Sequence, residues 1–138
     1  MKIKLDSWAF MPTRAHATDA GLDLYAPHGG EWVIPPFGHA IFDTGVHVEL
    51  PLGTVGFLKS KSGLNIRHNL TSEGVIDCGY TGSIMVKLYN HGNREYIVRS
   101  GEKISQLVVL PILTPELRVV EELDETERGN NGFGSTGR

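Results

Sequence analysis

The sequence predicts an all-β domain, either a sandwich or a jelly roll. Apolar and polar residues alternate with period two in several short stretches. Turn-forming residues separate these stretches at intervals of about eight to twelve residues. With 17 glycines and 7 prolines, no window of the chain supports a long amphipathic helix. Together these features are typical of antiparallel β-proteins.

The predicted elements follow from this pattern in chain order. Strands are expected in the alternating stretches Met1–Leu5, Val46–Leu50, Ile84–Leu88 and Leu117–Val119, and in the apolar runs Val55–Phe57 and Ile104–Leu110. Turn signals lie at Pro27–Gly30, Pro35–Gly38, Pro51–Gly53, Asn90–Asn93 and Ser100–Glu102. One or two helical turns are possible in Gly63–His68. No fixed-period repeat and no interdomain linker is visible.

A β-hairpin is predicted where Gly74–Ile76 and the strand after Gly82 flank a short glycine-containing loop. A loop that only reverses the chain needs little more than Asn-Gly. This one carries a carboxylate, Asp77, and a phenol, Tyr80, close together. We therefore expect the hairpin to be a recognition and catalytic element.

Bulk properties limit the possible classes of function. The 138 residues suit one domain, and a net charge of -3 argues against nonspecific nucleic-acid binding. The single cysteine, Cys78, rules out an intrachain disulfide and fits a reducing compartment. The N-terminal stretch is charged and lacks the apolar run of a signal peptide, and no segment has the length of a membrane span. We expect a cytoplasmic protein without membrane or nucleic-acid partners.

The stretch Arg128–Arg138 is rich in glycine and follows an acidic run, Glu121–Glu127. It has too little apolar surface to fold alone, so it is either an unused terminus or a strip that orders over a ligand. Glycine N–H groups and a guanidinium can donate to phosphate oxygens. The lone aromatic, Phe133, favours the second interpretation because an aromatic ring can stack on a base.

Three further stretches each allow a functional and a plain structural interpretation. Lys59–Leu64 is either an anion site at a helix start or a solvated strand end with an N-cap serine. Gln106, inside an apolar run, is either a ligand group or a satisfied core amide. Asp23 is either a carboxylate that orients water around a metal or an edge-strand residue facing water. The sequence lacks the motifs expected for a zinc site, for a cysteine nucleophile and for a Gly-x-Ser-x-Gly serine hydrolase.

Taken together, five stretches resemble the five motifs of the deoxyuridine triphosphatase (dUTPase, dUTP diphosphatase) family of the trimeric type. They are Asp19–Ala26, Lys59–Leu64, Gly74–Asn90, Gly101–Val108 and Arg128–Gly137, and the third and fifth are the most specific. The resemblance implies a distorted jelly-roll or β-barrel domain over residues 1–127 and a flexible motif over residues 128–138 that closes over the site. It implies a homotrimer in which each active site takes its first, second and fourth motifs from one subunit, its third from a neighbour and the tail from the remaining one.

The implied activity is hydrolysis of dUTP to dUMP and pyrophosphate with Mg²⁺ bound across the triphosphate. It limits uracil in DNA and supplies dUMP for dTTP synthesis. By resemblance, Asp77 activates the water that attacks the α-phosphorus, and Tyr80 packs under the deoxyribose. Val75, Ile76 and Met85 present backbone groups to the uracil edge. Backbone groups arranged to satisfy the hydrogen bonds of uracil would be left unpaired if cytosine were bound instead.

The remaining implied contacts are with the sugar, phosphates and metal. Thr71 falls at a base- or sugar-contacting position. Lys61, Ser62, Gly63 and Gln106 are assigned to the phosphates. The remaining assignments are Asp23 acting through water on the metal or near the sugar, Arg128 on the γ-phosphate, Phe133 over the uracil, and Gly134 and Ser135 closing on the phosphates. Asp77, Asp23 and Gln106 are taken as the catalytic set, and no residue is expected to bind Mg²⁺ directly.

Three positions depart from the family pattern. Lys61 stands where arginine is common, Ser83 where Glu or Pro is frequent, and Cys78 where a small residue is usual. Lysine is a point charge without arginine's planar fork. Two alternatives remain: a dCTP deaminase of related fold, against which the Asp77/Tyr80 pair and Phe133 argue, and a non-catalytic dUTP-binding regulatory module.

Overall fold

Eleven strands and one short helix make up residues 1–132, the part of the chain that the computed structural model describes. The strands are β1 (Lys2–Leu5), β2 (Gly21–Tyr25), β3 (Glu31–Ile34), β4 (His39–Asp43), β5 (Val46–Glu49), β6 (Thr54–Lys59), β7 (Leu70–Thr71), β8 (Glu73–Ile76), β9 (Met85–Asn90), β10 (Tyr96–Arg99) and β11 (Lys103–Pro111), and the helix α1 is Ser62–His68. The predicted all-β, jelly-roll class is confirmed.

The strands form antiparallel sheets that pack around one apolar core. The largest has the strand order β2-β11-β6-β8, and a second has the order β4-β9-β7. Two strand pairs, β1 with β5 and β3 with β10, complete the fold. Leu24, Leu58 and Leu107 enter the core from the first sheet, and Phe42 and Val86 enter from the second. Each such side chain stabilises the fold by about 1.5–3 kcal/mol relative to leaving it exposed.

The short helix lies where the glycine-to-histidine stretch predicted one. Asn69 ends it in the left-handed region, at φ 55°, and the Asn69 N–H donates to the Asn65 carbonyl oxygen at 2.9 Å. Asparagine tolerates this conformation better than most residues. The alternative that placed an N-cap serine before the helix is wrong, because the N-cap is Lys61 and no side chain caps the helix.

The alternating stretches predicted β1, β5 and β9, and the apolar runs predicted β6 and β11, but β3, β4 and β10 were not predicted. The missed strands carry consecutive apolar residues, for example Trp32–Ile34 in β3. There Ile34 is fully buried while Val33 is more than half exposed. A run that is apolar on both faces hides the period-two signal.

The predicted hairpin is wrong in its pairing. β8 pairs with β6, and β9 pairs with β4 and β7, so the two strands belong to different sheets. The connection covers residues 77–84, which is longer than a tight hairpin loop. Gly74 explains part of the preference of β8 for β6, because a Cβ there would lie 2.9 Å from Cδ1 of Leu58. The loop therefore crosses between two sheets.

The strand expected at Leu117–Val119 is also wrong for the isolated chain. Within the described residues, the last β-strand ends at Pro111, and the Ile112 N–H donates to the Gly53 carbonyl oxygen at 2.9 Å. Beyond it, Leu113 is 93% exposed and Val119 is 98% exposed. Alternation describes two faces of a segment, but a strand also needs a partner. The domain boundary after residue 127 stays a prediction.

Residues 1–132 include no helix that is both long and apolar enough to cross a membrane.

Candidate active site

The loop between β8 and β9 opens onto a cavity of about 270 Å³. Five residues expected to contact the nucleoside line it together: Val75, Ile76, Asp77, Tyr80 and Met85. Only Ile76 among them is buried, and the other four expose their side chains. The structure thus brings the predicted base, sugar and water-activating residues to one place.

The loop holds Tyr80 in a defined position. The Tyr80 N–H donates to the Asp77 carbonyl oxygen at 3.0 Å, with Gly79 between them at a positive φ of 96°. The Tyr80 hydroxyl donates to the Ser83 carbonyl oxygen at 3.0 Å. A Cβ on Gly82 would lie 2.6 Å from Cζ of Tyr80, so the phenol ring rests directly on this glycine. Turn and ring are therefore fixed by groups within the loop itself.

The far side of the loop is anchored to the neighbouring strands. Ser83 donates its hydroxyl to the Asp43 carboxylate and accepts a hydrogen bond from the Gly45 N–H at 3.0 Å. His47 on β5 contacts the Thr81 carbonyl oxygen through Nδ1 at 2.8 Å. Serine at position 83, a departure from the family pattern, is thus used here as an anchor.

His47 bridges the loop to the N-terminal segment. Its Nε2 lies 2.9 Å from Oδ2 of Asp6. The hydrogen bond with Asp6, followed by that with Thr81, raises the pKa of His47 above its ordinary value of 6.5. The same bond with His47 is the main cause of the lowered pKa of Asp6. Sequence reasoning missed both residues, because they lie far apart in the chain and belong to no motif.

A second cluster forms around Asp23 on β2. Its side chain is only 5% exposed, Lys61 contacts Oδ1, and Nζ of Lys103 lies 2.7 Å from Oδ2. Burial raises the pKa of Asp23, but hydrogen bonds and charges from Lys103 and Lys61 outweigh burial and lower it overall. The alternative of a water-facing edge aspartate is therefore wrong. Lys103 was not predicted; its position three residues before Gln106 in the same motif was the only available signal.

Gln106 lies beside this cluster and is held by backbone groups. Its Nε2 donates to the Ser60 carbonyl oxygen at 3.1 Å. A Cβ on Gly21 would lie 2.9 Å from Cδ of Gln106, so the glycine leaves the space that the amide occupies. Behind it, the hydroxyls of Ser72 and Ser105 are hydrogen-bonded at 2.8 Å and fully buried. The amide is half-buried and keeps access to solvent on one side.

The remaining predicted residues are more scattered. Ser62 and Gly63 are exposed in the first turn of α1, next to Lys61. The Thr71 hydroxyl lies 2.8 Å from Nε2 of His91 and does not line the loop cavity. Arg128 is exposed, and its Nε donates to the Asn131 carbonyl oxygen at 3.1 Å. Phe133, Gly134 and Ser135 lie outside the described residues.

The two clusters lie far apart within one chain. Asp23, Gln106, Lys59 and Glu73 form one row across the largest sheet. Asp77 follows the opposite end of β8, four residues beyond Glu73. For a flat sheet with Asp77 continuing the line of β8, spacings of about 4.8 Å between strands and about 3.4 Å per residue correspond to separations of roughly 17 Å from Gln106 and roughly 20 Å from Asp23.

No group of three or more His, Cys, Asp or Glu residues among residues 1–132 is arranged to hold a metal ion. Within the described part of the chain, the deeply buried carboxylate next to predicted phosphate-binding side chains is Asp23. Mg²⁺ commonly keeps several waters and is bound through one or two carboxylates together with substrate phosphates. In this structure both carboxylate oxygens of Asp23 are paired with lysine ammonium groups, so the cluster is not a ready-made site for a cation.

The fold and the two clusters define an all-β domain that presents a carboxylate–phenol loop and a separate lysine-lined carboxylate. The dUTPase family model matches residues 8–137. Deoxyuridine 5'-triphosphate nucleotidohydrolase from Syntrophotalea carbinolica is 40% identical, covering 99% of this chain and 96% of the relative. The protein of that name from Clostridioides difficile is 42% identical, covering 97% and 94%. The chain belongs to the dUTPase family.

Solved structures agree with this assignment. The dUTPase of Staphylococcus bacteriophage 80alpha with dUPNHPP superposes with a TM-score of 0.90 at 35% identity, covering 99% of this chain and 98% of that one. A mutant dUTPase from phage phi11 of S. aureus, described with a structural Mg(II) ion, gives a TM-score of 0.79 at 32% identity, covering 88% and 96%.

Proposed function

We propose that the protein is a dUTP diphosphatase, which hydrolyses dUTP to dUMP and pyrophosphate. The observation that carries this proposal is the shared cavity of Asp77, Tyr80 and the strand ends around Val75 and Met85. It presents a carboxylate, a phenol and free main-chain edges to one ligand. In a member of the dUTPase family, these are the groups needed for the water, the deoxyribose and the uracil.

Asp77 acts as the general base. It is exposed at the cavity, where a water between its carboxylate and the α-phosphorus can transfer a proton as it attacks. Proton transfer of this kind contributes about 10²–10⁴-fold to a rate. The P–O bond to the bridging oxygen breaks, and pyrophosphate leaves.

Tyr80 selects deoxyribose, and its neighbours select uracil. The ring is fixed by Gly82 and by the bond from its hydroxyl to Ser83, so it cannot easily move aside for a 2′-hydroxyl. The backbone at Val75, Ile76 and Met85 supplies the donors and acceptors for the uracil edge. Cytosine presents a different hydrogen-bonding pattern and leaves these groups unpaired, which is costly for buried polar groups.

The Asp23 cluster is the phosphate end of the site. Lys61, Ser62, Gly63 and Gln106 donate to phosphate oxygens, and Asp23 acts through water. Thr71 contributes a sugar or base contact from β7. In the tail, we assign Arg128 to the γ-phosphate, Phe133 to the uracil, and Gly134 and Ser135 to the phosphates, with residues 128–138 closing over a domain formed by residues 1–127.

Mg²⁺ is the proposed cofactor. When bound to the triphosphate it neutralises negative charge that builds up on the phosphate oxygens. By resemblance we assign Asp23 to the water ligands of the ion, a role that would require Lys61 to leave Oδ1 first. Removal of divalent ions with EDTA is expected to abolish turnover, and added Mg²⁺ is expected to restore it.

The active site is shared within a homotrimer. The water held by Asp77 and the phosphates held by Gln106 must act on one substrate molecule. Within a single chain, however, ideal strand spacings separate Asp77 from Gln106 by roughly 17 Å. A neighbouring subunit can supply the missing half. The alternating segment around Leu117 and Val119 supports the same arrangement, because its apolar side chains are almost fully exposed in the isolated chain.

The function is tested by measuring pyrophosphate release from dUTP, UTP, dTTP and dCTP. Turnover restricted to dUTP is the expected result. Ammonia release from dCTP would instead identify a deaminase, and tight dUTP binding without pyrophosphate release would identify a regulatory module.

The shared site is tested by mixing two inactive variants, Asp77→Asn and Gln106→Ala, after denaturation and refolding together. If Asp77 and Gln106 of different subunits form one site, about a quarter of the sites regain both residues on random mixing. The separately refolded variants are the control. A mixture as inactive as its components would contradict the shared site.

A further inference from the structure

Two lysines hold the buried carboxylate of Asp23, one on each oxygen. Lys61 contacts Oδ1, and Lys103 lies 2.7 Å from Oδ2. The side chain of Asp23 is 5% exposed, so water does little to compensate its charge. One lysine is enough to neutralise one carboxylate, which leaves this cluster with one positive charge in excess. The excess charge requires an explanation.

The two lysines differ in their position in the fold. Lys61 is the N-cap of α1, in the connection from β6 and directly before Ser62 and Gly63. Lys103 is the first residue of β11, where the ladder with β2 is irregular between Lys103 and Ser105. Lys61 therefore belongs to the predicted phosphate-binding loop, whereas Lys103 lies on a strand of the sheet that also carries Asp23. Of the two lysines, only Lys61 adjoins residues that the proposed function assigns to the phosphates.

We propose that Lys103 is a positioning residue that keeps Asp23 neutralised while Lys61 transfers from Asp23 to a phosphate oxygen of the substrate. This proposal rests on the proposed function and adds a step to it. Without Lys103, the transfer would leave a buried carboxylate without a cation, which is strongly unfavourable. With Lys103 on Oδ2, the carboxylate keeps a charged hydrogen-bond donor throughout. The excess positive charge is then the charge that the substrate uses.

The same arrangement predicts that Asp23 and the substrate phosphate compete for Lys61. If Lys103 loses its charge, Asp23 holds Lys61 more tightly, and the phosphate must compete with a buried carboxylate for it. Substrate binding weakens as a result. The chemical step changes less, because Lys103 itself does not touch the reacting atoms.

The first test compares Lys103→Met with Lys103→Arg in the full-length protein. Methionine keeps the length of the chain but removes its charge, and we expect KM for dUTP to rise about tenfold. We expect kcat to change by less than about threefold. Arginine restores a cation at Oδ2 and is expected to return KM to near the wild-type value. The matched control is Lys2→Met, which removes an exposed lysine paired with Glu49 at 3.1 Å and is expected to leave KM unchanged.

The second test places the Lys103→Met change in an Asp23→Asn background and measures the affinity for a non-hydrolysable imido analogue of dUTP. Asparagine removes the charge that holds Lys61, so Lys103→Met is expected to have no further effect on affinity there. An equal loss of affinity in both backgrounds would mean that Lys103 binds the substrate itself and would overturn the proposal. The double variant leaves no buried carboxylate without a cation, so it also serves if Lys103→Met alone fails to fold.

The result is separable from the proposed function. Wild-type pyrophosphate release tests that function by itself. A wild-type protein that hydrolyses dUTP, together with a folded Lys103→Met variant whose KM is unchanged, would overturn the role of Lys103 and leave the function standing.

Discussion

Nε2 of His47 lies 2.9 Å from Oδ2 of Asp6, and both ring nitrogens of His47 face acceptor oxygens. The partner of Nδ1 is the carbonyl oxygen of Thr81, in the loop that carries Asp77 and Tyr80. A carbonyl and a carboxylate both accept hydrogen bonds, so the imidazolium satisfies both contacts at once. Protonation of His47 thus joins the active-site loop to the N-terminal segment.

This relationship predicts a pH-dependent contribution to stability. The pKa of His47 is raised in the folded state, so its contribution is fully present below pH 6.5 and is lost as pH rises through the raised value. The pKa of Asp6 is lowered, so its contribution is present above pH 3.8 and is lost as pH falls through the lowered value. Wild-type protein and His47→Gln should therefore differ most in unfolding temperature at about pH 5.5 and least at about pH 9.

Asp6→Asn should behave like His47→Gln at about pH 5.5, because either change removes the pair. Lys2→Met is the control, since it removes an exposed ion pair with Glu49 and leaves the Asp6–His47 pair in place. An equal difference between wild type and His47→Gln at both pH values would contradict the assignment of an imidazolium.

Replacing Asp77 with asparagine should separate chemistry from binding. We expect kcat to fall by about 10²–10⁴-fold, because the amide cannot accept the proton of the attacking water. Affinity for the imido analogue, measured by calorimetry, should change little. Glu31→Gln makes the same chemical change at an exposed carboxylate paired with Arg99 and should leave kcat intact. A near-normal rate for Asp77→Asn would mean that another group is the base.

Gly82→Ala should weaken the selection of deoxyribose. The added Cβ would lie 2.5 Å from the Tyr80 hydroxyl oxygen and 2.6 Å from Cζ, so the ring must move. We expect kcat/KM for dUTP to fall about tenfold and the ratio of dUTP to UTP turnover to fall with it. Thr81→Ala, one residue away, should retain the ratio, because the described contact of Thr81 uses its backbone oxygen. A preserved ratio in Gly82→Ala would argue against Tyr80 as the selecting group.

Removing residues 128–138 should abolish most activity while leaving the oligomer intact. These residues follow a segment that is exposed along its whole described length. We expect kcat/KM for dUTP to drop by an order of magnitude or more, because the lid no longer orders the triphosphate. Activity and sedimentation are measured on the same sample. Full activity in the truncated protein would rule out the tail as a lid.

Much of the candidate site was predictable because its residues are local. Val75, Ile76, Asp77, Tyr80 and Met85 lie within eleven positions of each other (75 to 85), and they do line one cavity. Their motif was informative because the carboxylate and phenol exceed what a turn requires. The strands with which β8 and β9 pair were not predictable in the same way.

Lys103 and His47 show the limit of reading a sequence. The contacts of Lys103 with Asp23 and of His47 with Asp6 and Thr81 join positions that are far apart in the chain. Lysine, histidine and aspartate are common on protein surfaces, so their types alone carry no signal. Their roles became visible only when the sheets placed them side by side.

The sequence by itself determined the all-β class, the strand faces and the chemistry at the tip of the loop, because side-chain alternation and turn residues act over a few positions. Tertiary structure decided the rest. It paired β8 with β6 and not with β9, buried Asp23 between two lysines, and placed Asp77 beyond the end of β8 opposite to the row that holds Gln106. Strand partners and charge pairs depend on which distant segments meet, and that choice is made by the packing of the whole core.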